Sequence, residues 1–225
     1  MNVLLKYKND FHRVVNYNPA TDKLYHFDFT AGNTELTDSL IADTTLFEQY
    51  INSKLGNNYK YGIGGYNEER ILYKRSSHFN ATDFNASPRT IHLGIDIWGK
   101  VGTAVYAPIG GMVHSTGYNN NFGDYGATIV LLHQLDGISF YTLYGHVSLQ
   151  DIAALNEGAY ISRGQQFASF GPPAENGNWP PHLHFQVIID MQEKKGDYPG
   201  VCTIADREKY LLNCPDPAPI LNMER

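Results

Sequence analysis

Cysteine is scarce: the chain of 225 residues holds two, Cys202 and Cys214. Two thiols cannot form the disulfide framework that substitutes for a core in small secreted domains, and their spacing lacks the tight pairing of a zinc knuckle. Both are expected as free thiols in a reducing compartment. Long apolar runs are missing too. The amino-terminal stretch offers only Val3, Leu4 and Leu5 in a row, which excludes a signal-peptide core or a membrane span there. The expected compartment is therefore the cytoplasm. Positive charge is in deficit, with 17 Lys and Arg against 23 Asp and Glu and a formal net charge of −6. Such a chain has no electrostatic reason to seek nucleic acid or an anionic membrane. Charged residues amount to 18% and hydrophobic ones to 42%. The first figure is below the roughly one quarter usual in globular proteins and argues against disorder; the second allows a core.

What is abundant is tyrosine, with 16 residues, and glycine, with 21, a mixture suited to β-rich folds with tight turns. By texture the chain divides into an elaboration over 1–60, a domain over 61–200 and a tail over 201–225 packed on the domain. In the first part Thr45 and Glu48 fit a T-x-x-E capping box. Leu46, Phe47, Tyr50, Ile51 and Leu55 recur at helical spacing and Gly56 can end the run. This predicts one short amphipathic helix over 45–55. From residue 90, short β-like segments at 91–97, 104–107, 111–114, 128–132 and 139–144 alternate with Gly, Pro, Asn and Asp, the spacing of an antiparallel β-sheet. A short helix is expected over 148–155, capped by Ser148, and a further strand over 166–170. GPPAENGNWPP reads as a loop that leads into the β-branched strand HLHFQVIID. The predicted fold class is mostly β.

Histidine carries the chemistry. In HLGID, Gly94 and the β-branched Ile91, Ile95 and Ile97 disfavour helix. On an extended strand residues four apart share a face, so His92 and Asp96 project together. In HLH, His182 and His184 share a face while Leu183 and Phe185 point the other way into a core. Two imidazoles side by side after a Pro-rich loop are poor core material and need polar partners or a cation. Catalytic zinc takes three protein ligands and leaves a fourth position open for water. His92, Asp96 and one member of the HLH pair can supply three. Tyr144-Gly145-His146 follows an apolar strand and says little alone. Most of the nine histidines need no function: His12, His26, His78 and His114 read as ordinary surface or hydrogen-bonded residues, and His133 as a hairpin-rim residue without a role, the alternative being a place behind the metal ligands or beside the substrate.

HLGID, then YTLYGH, then PPHLHFQV, in this order, resemble the lysostaphin-like zinc metallopeptidases, the LytM-type endopeptidases. VYAPIGGMV and EGAYISRGQQFASFG resemble the family's intervening segments. The resemblance covers about residues 90–190. Residues 61–90 and 191–225 resemble, more narrowly, the lysostaphin-like domains joined to aminotransferases and kinases in large intracellular proteins. The resemblance implies an antiparallel β-sheet with an open groove and one zinc ion per chain on its floor. It implies His92, Asp96 and His184 as zinc ligands, and His146 and His182 as two catalytic histidines that do not bind the metal. Family members cleave Gly- or D-Ala-containing cross-links of bacterial walls, which implies a peptide or peptidoglycan-like substrate. Wall-degrading members are usually exported, and the missing export signal departs from that pattern.

The expected function is zinc-dependent hydrolysis of a peptide bond by a metal-activated water. His146 and His182 would handle protons, because imidazole titrates near neutral pH. Two other readings use the same residues: a non-catalytic binding or regulatory module on the same fold, and a hydrolase of a small cytosolic amide or dipeptide. The complete set of five site residues weighs against the first, and a closed groove would favour the second. A cupin-type barrel fits less well, because HLHFQVIID lacks a Glu at the spacing such barrels use. Tyr144 is expected to be structural, and Trp179 to pack in the 171–181 loop or face substrate. For Arg70 the default is a structural salt bridge; the alternative is a grip on a substrate carboxylate.

Overall fold

The computed structural model describes residues 2–80 and 87–223. Residue 1 of the expected elaboration, 81–86 of the expected domain and 224–225 of the expected tail lie outside the described residues. In chain order the strands are β1 (Leu24–Phe27), β2 (Tyr61–Gly64), β3 (Arg89–His92), β4 (Ile95–Trp98), β5 (Ala104–Tyr106), β6 (Gly111–Asn119), β7 (Gly126–Leu135), β8 (Ile138–Val147), β9 (Tyr160–Ile161), β10 (Gln166–Ser169), β11 (His182–Ile188) and β12 (Val201–Thr203). Eight of them join in one sheet in the order β1-β2-β4-β11-β8-β7-β6-β9. Every neighbouring pair is antiparallel except β1 with β2. β5 with β10, and β3 with β12, form separate antiparallel pairs. The fold is mostly β and antiparallel, as the spacing of the segments predicts.

Strand β11 shows how the sequence sets the two faces. Leu183, Phe185 and Val187 enter the main core with Ile95, Ile97, Ile129, Leu131 and Tyr144. All three are fully buried, worth roughly 2 kcal/mol each. A one-residue slip would turn the histidines into that core, so the register is strongly held. Register pairs His182 with Trp98 and His184 with Asp96 on β4, and His184 with Gly145 on β8. The period of two therefore delivers His182, His184, Asp96 and Trp98 to the opposite face.

The segment 91–97, expected as one strand, is two. β3 ends at His92 and pairs with β12, whereas β4 starts at Ile95 in the main sheet. The chain changes sheets at Leu93, whose N–H donates to Gly200 O at 2.9 Å. A Cβ on Gly94 would lie 2.7 Å from the His184 ring and from Phe185 O. Only glycine lets the crossing strand pass that close. His92 and Asp96 thus meet across a change of sheet, not along one continuous strand.

Three helices precede residue 61: α1 (Asn2–Lys6), α2 (Asp38–Ala42) and α3 (Thr44–Leu55). The helix expected over 45–55 is α3. Its cap is Asp43, whose Oδ1 accepts from the N–H groups of Thr45 and Leu46 at 2.8 and 3.0 Å, so the Thr45/Glu48 capping box is not used. The one-turn helices α1 and α2 are too short to show a period. Phe27, Phe29, Phe47 and Ile51 build a second core with Trp98 and Trp179. The rings of Phe29, Phe47 and Phe27 lie 5.5, 5.8 and 6.2 Å from that of Trp98. The amino-terminal segment therefore braces the histidine-bearing face of the sheet. Further along, α4 (Leu149–Ala153) is capped by Ser148, and the carboxy-terminal residues form α5 (Arg207–Asn213) and α6 (Ala218–Leu221). Ile220 and Leu221 are buried in the main core. Among the described residues no helix is long and apolar enough to cross a membrane.

Candidate metal centre

Five side chains meet on the braced face. His92, Asp96, His146, His182 and His184 are all between 1% and 5% exposed and line one cavity. Three of them offer donor atoms within 4.8 Å of one another: His92, Asp96 and His184. His92 Nε2 is 3.2 Å from Asp96 Oδ1, His184 Nδ1 is 3.1 Å from the same oxygen, and the two ring nitrogens are 2.9 Å apart.

The partners of the outer ring atoms define the tautomers. His92 Nδ1 is 2.9 Å from Gly65 O, which can only accept, so Nδ1 carries the proton and Nε2 keeps the lone pair. His184 Nε2 is 2.9 Å from Gln186 Oε1. The Gln186 amide is itself oriented, because its Nε2 donates to Pro199 O at 3.1 Å and to Cys214 Sγ at 3.2 Å. Its Oε1 therefore accepts from His184 Nε2–H, leaving the lone pair on Nδ1. Tyr125 O–H reaches the same Oε1 at 3.3 Å. The inner atoms are thus two ring lone pairs and a carboxylate oxygen, with no proton between them.

Asp96 has a second partner. Its Oδ2 accepts from Arg70 Nη1 at 2.5 Å, and Arg70 Nε donates to Glu68 Oε2 at 2.7 Å. Arg70 is buried with its donors turned inward, which resolves its two readings in favour of the structural salt bridge. Burial opposes ionisation of Asp96, but the carboxyl is held well below the usual range, with the permanently charged Arg70 guanidinium against its Oδ2. Burial and the Arg70 charge push the His92 imidazole down to about 4.

His146 and His182 stand beside this triangle. Their rings are 4.1 Å apart. His182 stacks on Trp98 at 3.9 Å and 16°, and its Nδ1 donates to Pro180 O at 2.8 Å. His146 Nδ1 donates to Asn176 O at 2.8 Å. Each neutral ring thus presents Nε2 as a free acceptor. Burial pushes His182 down to about 4, and burial with the two neighbouring imidazoles holds His146 well below its ordinary value. His146 owes its place to a β-bulge. Gly145 and Val147 pair with Thr128 and Ala127, and His146 is the extra residue between them, with φ +64°. A left-handed histidine costs about 1–2 kcal/mol, offset here by the His146 N–H bond to Tyr125 O and the Gly171 N–H bond to His146 O, at 3.0 and 2.9 Å. Bulges commonly re-aim a side chain in this way.

Arg70, Tyr125 and Gln186 carry no motif of their own. Gln186 has a faint signal, since HLHFQ continues the period of two by one more step. His133 departs from the expected hairpin rim. It is 1% exposed, with Nδ1 donating to Gly110 O at 3.0 Å and Nε2 lying 2.7 Å from Thr142 Oγ1. Neighbouring strands β6 and β8 cover it. Tyr144 is fully buried in the main core. Trp179 is buried and lines the cavity.

The sequence profile of peptidase family M23 matches residues 90–196. No curated protein sequence gives a significant match. Among solved structures the chain is similar to the catalytic domain of the antimicrobial peptidase lysostaphin from Staphylococcus simulans. Identity there is 22%, over 78% of this chain and 97% of that one, with a TM-score of 0.47. It is similar to a zinc-containing peptidase from Vibrio cholerae at 25% identity, over 48% of this chain and 30% of that one, with a TM-score of 0.36. For lysostaphin itself the figures are 24%, 58% and 44%, with a TM-score of 0.39. The residues that match the profile of peptidase family M23, 90–196, include His92, Asp96, His146, His182 and His184.

Proposed function

We propose that His92 Nε2, Asp96 Oδ1 and His184 Nδ1 hold one zinc ion and that the protein hydrolyses a peptide bond. The observation that carries this reading is the proton-free donor triangle. Lone pairs and a carboxylate oxygen at 2.9–3.2 Å repel one another in a buried site unless a cation sits between them. The edges also suit the ion: tetrahedral zinc with bonds of about 2.0–2.1 Å sets its ligands about 3.3 Å apart. Two imidazoles and one carboxylate are borderline donors that zinc takes readily, and Gln186 and Arg70 supply the outer hydrogen bonds such ligands need.

When bound, zinc supplies Lewis acidity, lowering the pKa of a water and polarising the scissile carbonyl. The chain supplies the rest. His146 and His182, neutral at working pH and with Nε2 free, accept the proton of the attacking water and return one to the departing amine. The Pro180 and Asn176 carbonyls hold both rings in the tautomer that makes this possible. The match of residues 90–196 to a peptidase family profile supports an amide substrate, a peptide or a peptidoglycan-like cross-link. A narrow substrate is favoured by the 3₁₀ turns Leu72–Arg75 and Ser77–Phe79, which contribute Leu72, Tyr73, His78 and Phe79 to the cavity wall.

The test is metal analysis of protein purified without chelator, together with cleavage of Gly-Gly and D-Ala-containing peptides. One zinc per chain and chelator-sensitive cleavage are expected. Zinc without turnover on any amide would favour a binding module, and absence of zinc would remove the basis of the reading.

A further inference from the structure

We propose that Arg70, which lies ahead of the family-matched residues, is a positioning residue of the metal centre: it fixes which Asp96 oxygen faces the ion. This rests on the zinc reading above. Asp96 points Oδ1 at His92 and His184, and Oδ2 is taken by Arg70 Nη1 at 2.5 Å. With Oδ2 engaged, the carboxylate presents a single oxygen and cannot swing to chelate with both. The guanidinium is immobilised in turn. Its Nε donates to Glu68 Oε2 at 2.7 Å, Nη2 reaches Gly65 O at 3.4 Å, and its Cζ lies 5.2 Å from the Phe29 ring centre. A Cβ on Gly64 would stand 2.8 Å from Nη2, so glycine at that position leaves the guanidinium its room.

The same short segment also holds the second ligand. Gly65 O accepts from His92 Nδ1 at 2.9 Å. Asn67 N–H donates to His92 O, His92 N–H to Glu68 O, and Arg70 N–H to Thr90 O, at 2.8, 2.9 and 2.8 Å. Residues 65–70 thus run along β3 as a strap that orients His92 through a backbone carbonyl and Asp96 through a charged side chain. Two of the three donors depend on residues that precede residue 90. The planar fork of arginine is what bridges Glu68 and Asp96; a lysine ammonium is a point charge that cannot span both in fixed geometry.

The test measures zinc affinity by chelator competition, and metal-free stability by urea denaturation, on the full chain with Arg70→Met and Arg70→Lys. Arg70→Met is expected to bind zinc about 10–100-fold more weakly while remaining folded, with Arg70→Lys in between. If Arg70→Met fails to fold because Glu68 and Asp96 are left uncompensated, Glu68→Gln/Arg70→Met is measured by the same criterion. A folded variant with unchanged zinc affinity, even at a lower urea midpoint, overturns the positioning role and leaves the zinc reading intact. Wild-type protein that takes up no zinc overturns both.

Discussion

Gly94→Ala offers a sharp test of the site's geometry, because it adds one methyl group and removes no ligand. The added Cβ would lie 2.7 Å from Cε1 and Nε2 of His184 and 2.7 Å from Phe185 O. Ordinary contact begins near 3.4 Å, so something must yield by about 0.7 Å. Phe185 O belongs to a central strand hydrogen-bonded on both sides and cannot retreat. The His184 imidazole must therefore tilt, and it is also held from outside by Gln186. Metal sites tolerate ligand errors of about 0.2 Å, and the displacement is several times that. Overpacking costs about 1–3 kcal/mol, which a folded domain usually survives. The expected result is a folded variant whose zinc affinity falls at least tenfold. A misplacement of this size can cost about 100-fold in rate, so kcat/KM on a Gly-containing peptide should fall by a similar factor. Circular dichroism, chelator competition and a peptide assay read the three quantities. A folded Gly94→Ala protein with wild-type zinc affinity and turnover would refute the argument that His184 occupies the space Gly94 leaves.

Gln186→Leu removes the acceptor for His184 Nε2–H and should weaken zinc about 10–100-fold in a chelator competition; unchanged affinity would show that the amide does not orient the ring. His182→Ala and His146→Ala should keep zinc and lose about 10²–10⁴ in turnover, whereas His184→Ala should lose the metal. Metal loss in His182→Ala with retention in His184→Ala would reverse the roles. His133 predicts an acid sensitivity unrelated to metal. Burial holds its imidazole down at about 4 in the fold, against about 6.5 in the unfolded chain. Above pH 6.5 both states are neutral and stability is full. Between 6.5 and 4 the unfolded chain gains a proton that the fold refuses, so stability falls by about 3 kcal/mol. Urea titrations at several pH values should show a slope shallower by that amount in His133→Gln than in the wild type; equal slopes would contradict it.

The parts of the site that follow from strand period were legible in the sequence. HLHFQ alternates polar and apolar residues, and pairing with β4 and β8 puts its polar members beside Asp96. The meeting of His92 with Asp96 was legible only in outcome. Period alone assumes one strand, while the chain breaks at Leu93 and Gly94 and changes sheets. His146 arrives by a bulge, and a single inserted residue leaves no trace in alternation. Arg70 and Tyr125 come from distant stretches through contacts that no local pattern encodes. The same holds for Trp98, whose stacking on His182 is braced by Phe29 and Phe47. Those two rings lie well before the first histidine motif; periodicity marks Phe47 only as core and does not mark Phe29.

The most direct test of the central claim is calorimetric titration of zinc into metal-free wild-type protein and into His184→Ala. One high-affinity site in the wild type and none in the variant is the predicted result. No binding by the wild type, or equal binding by both, would contradict the assignment of His92, Asp96 and His184 as the metal ligands.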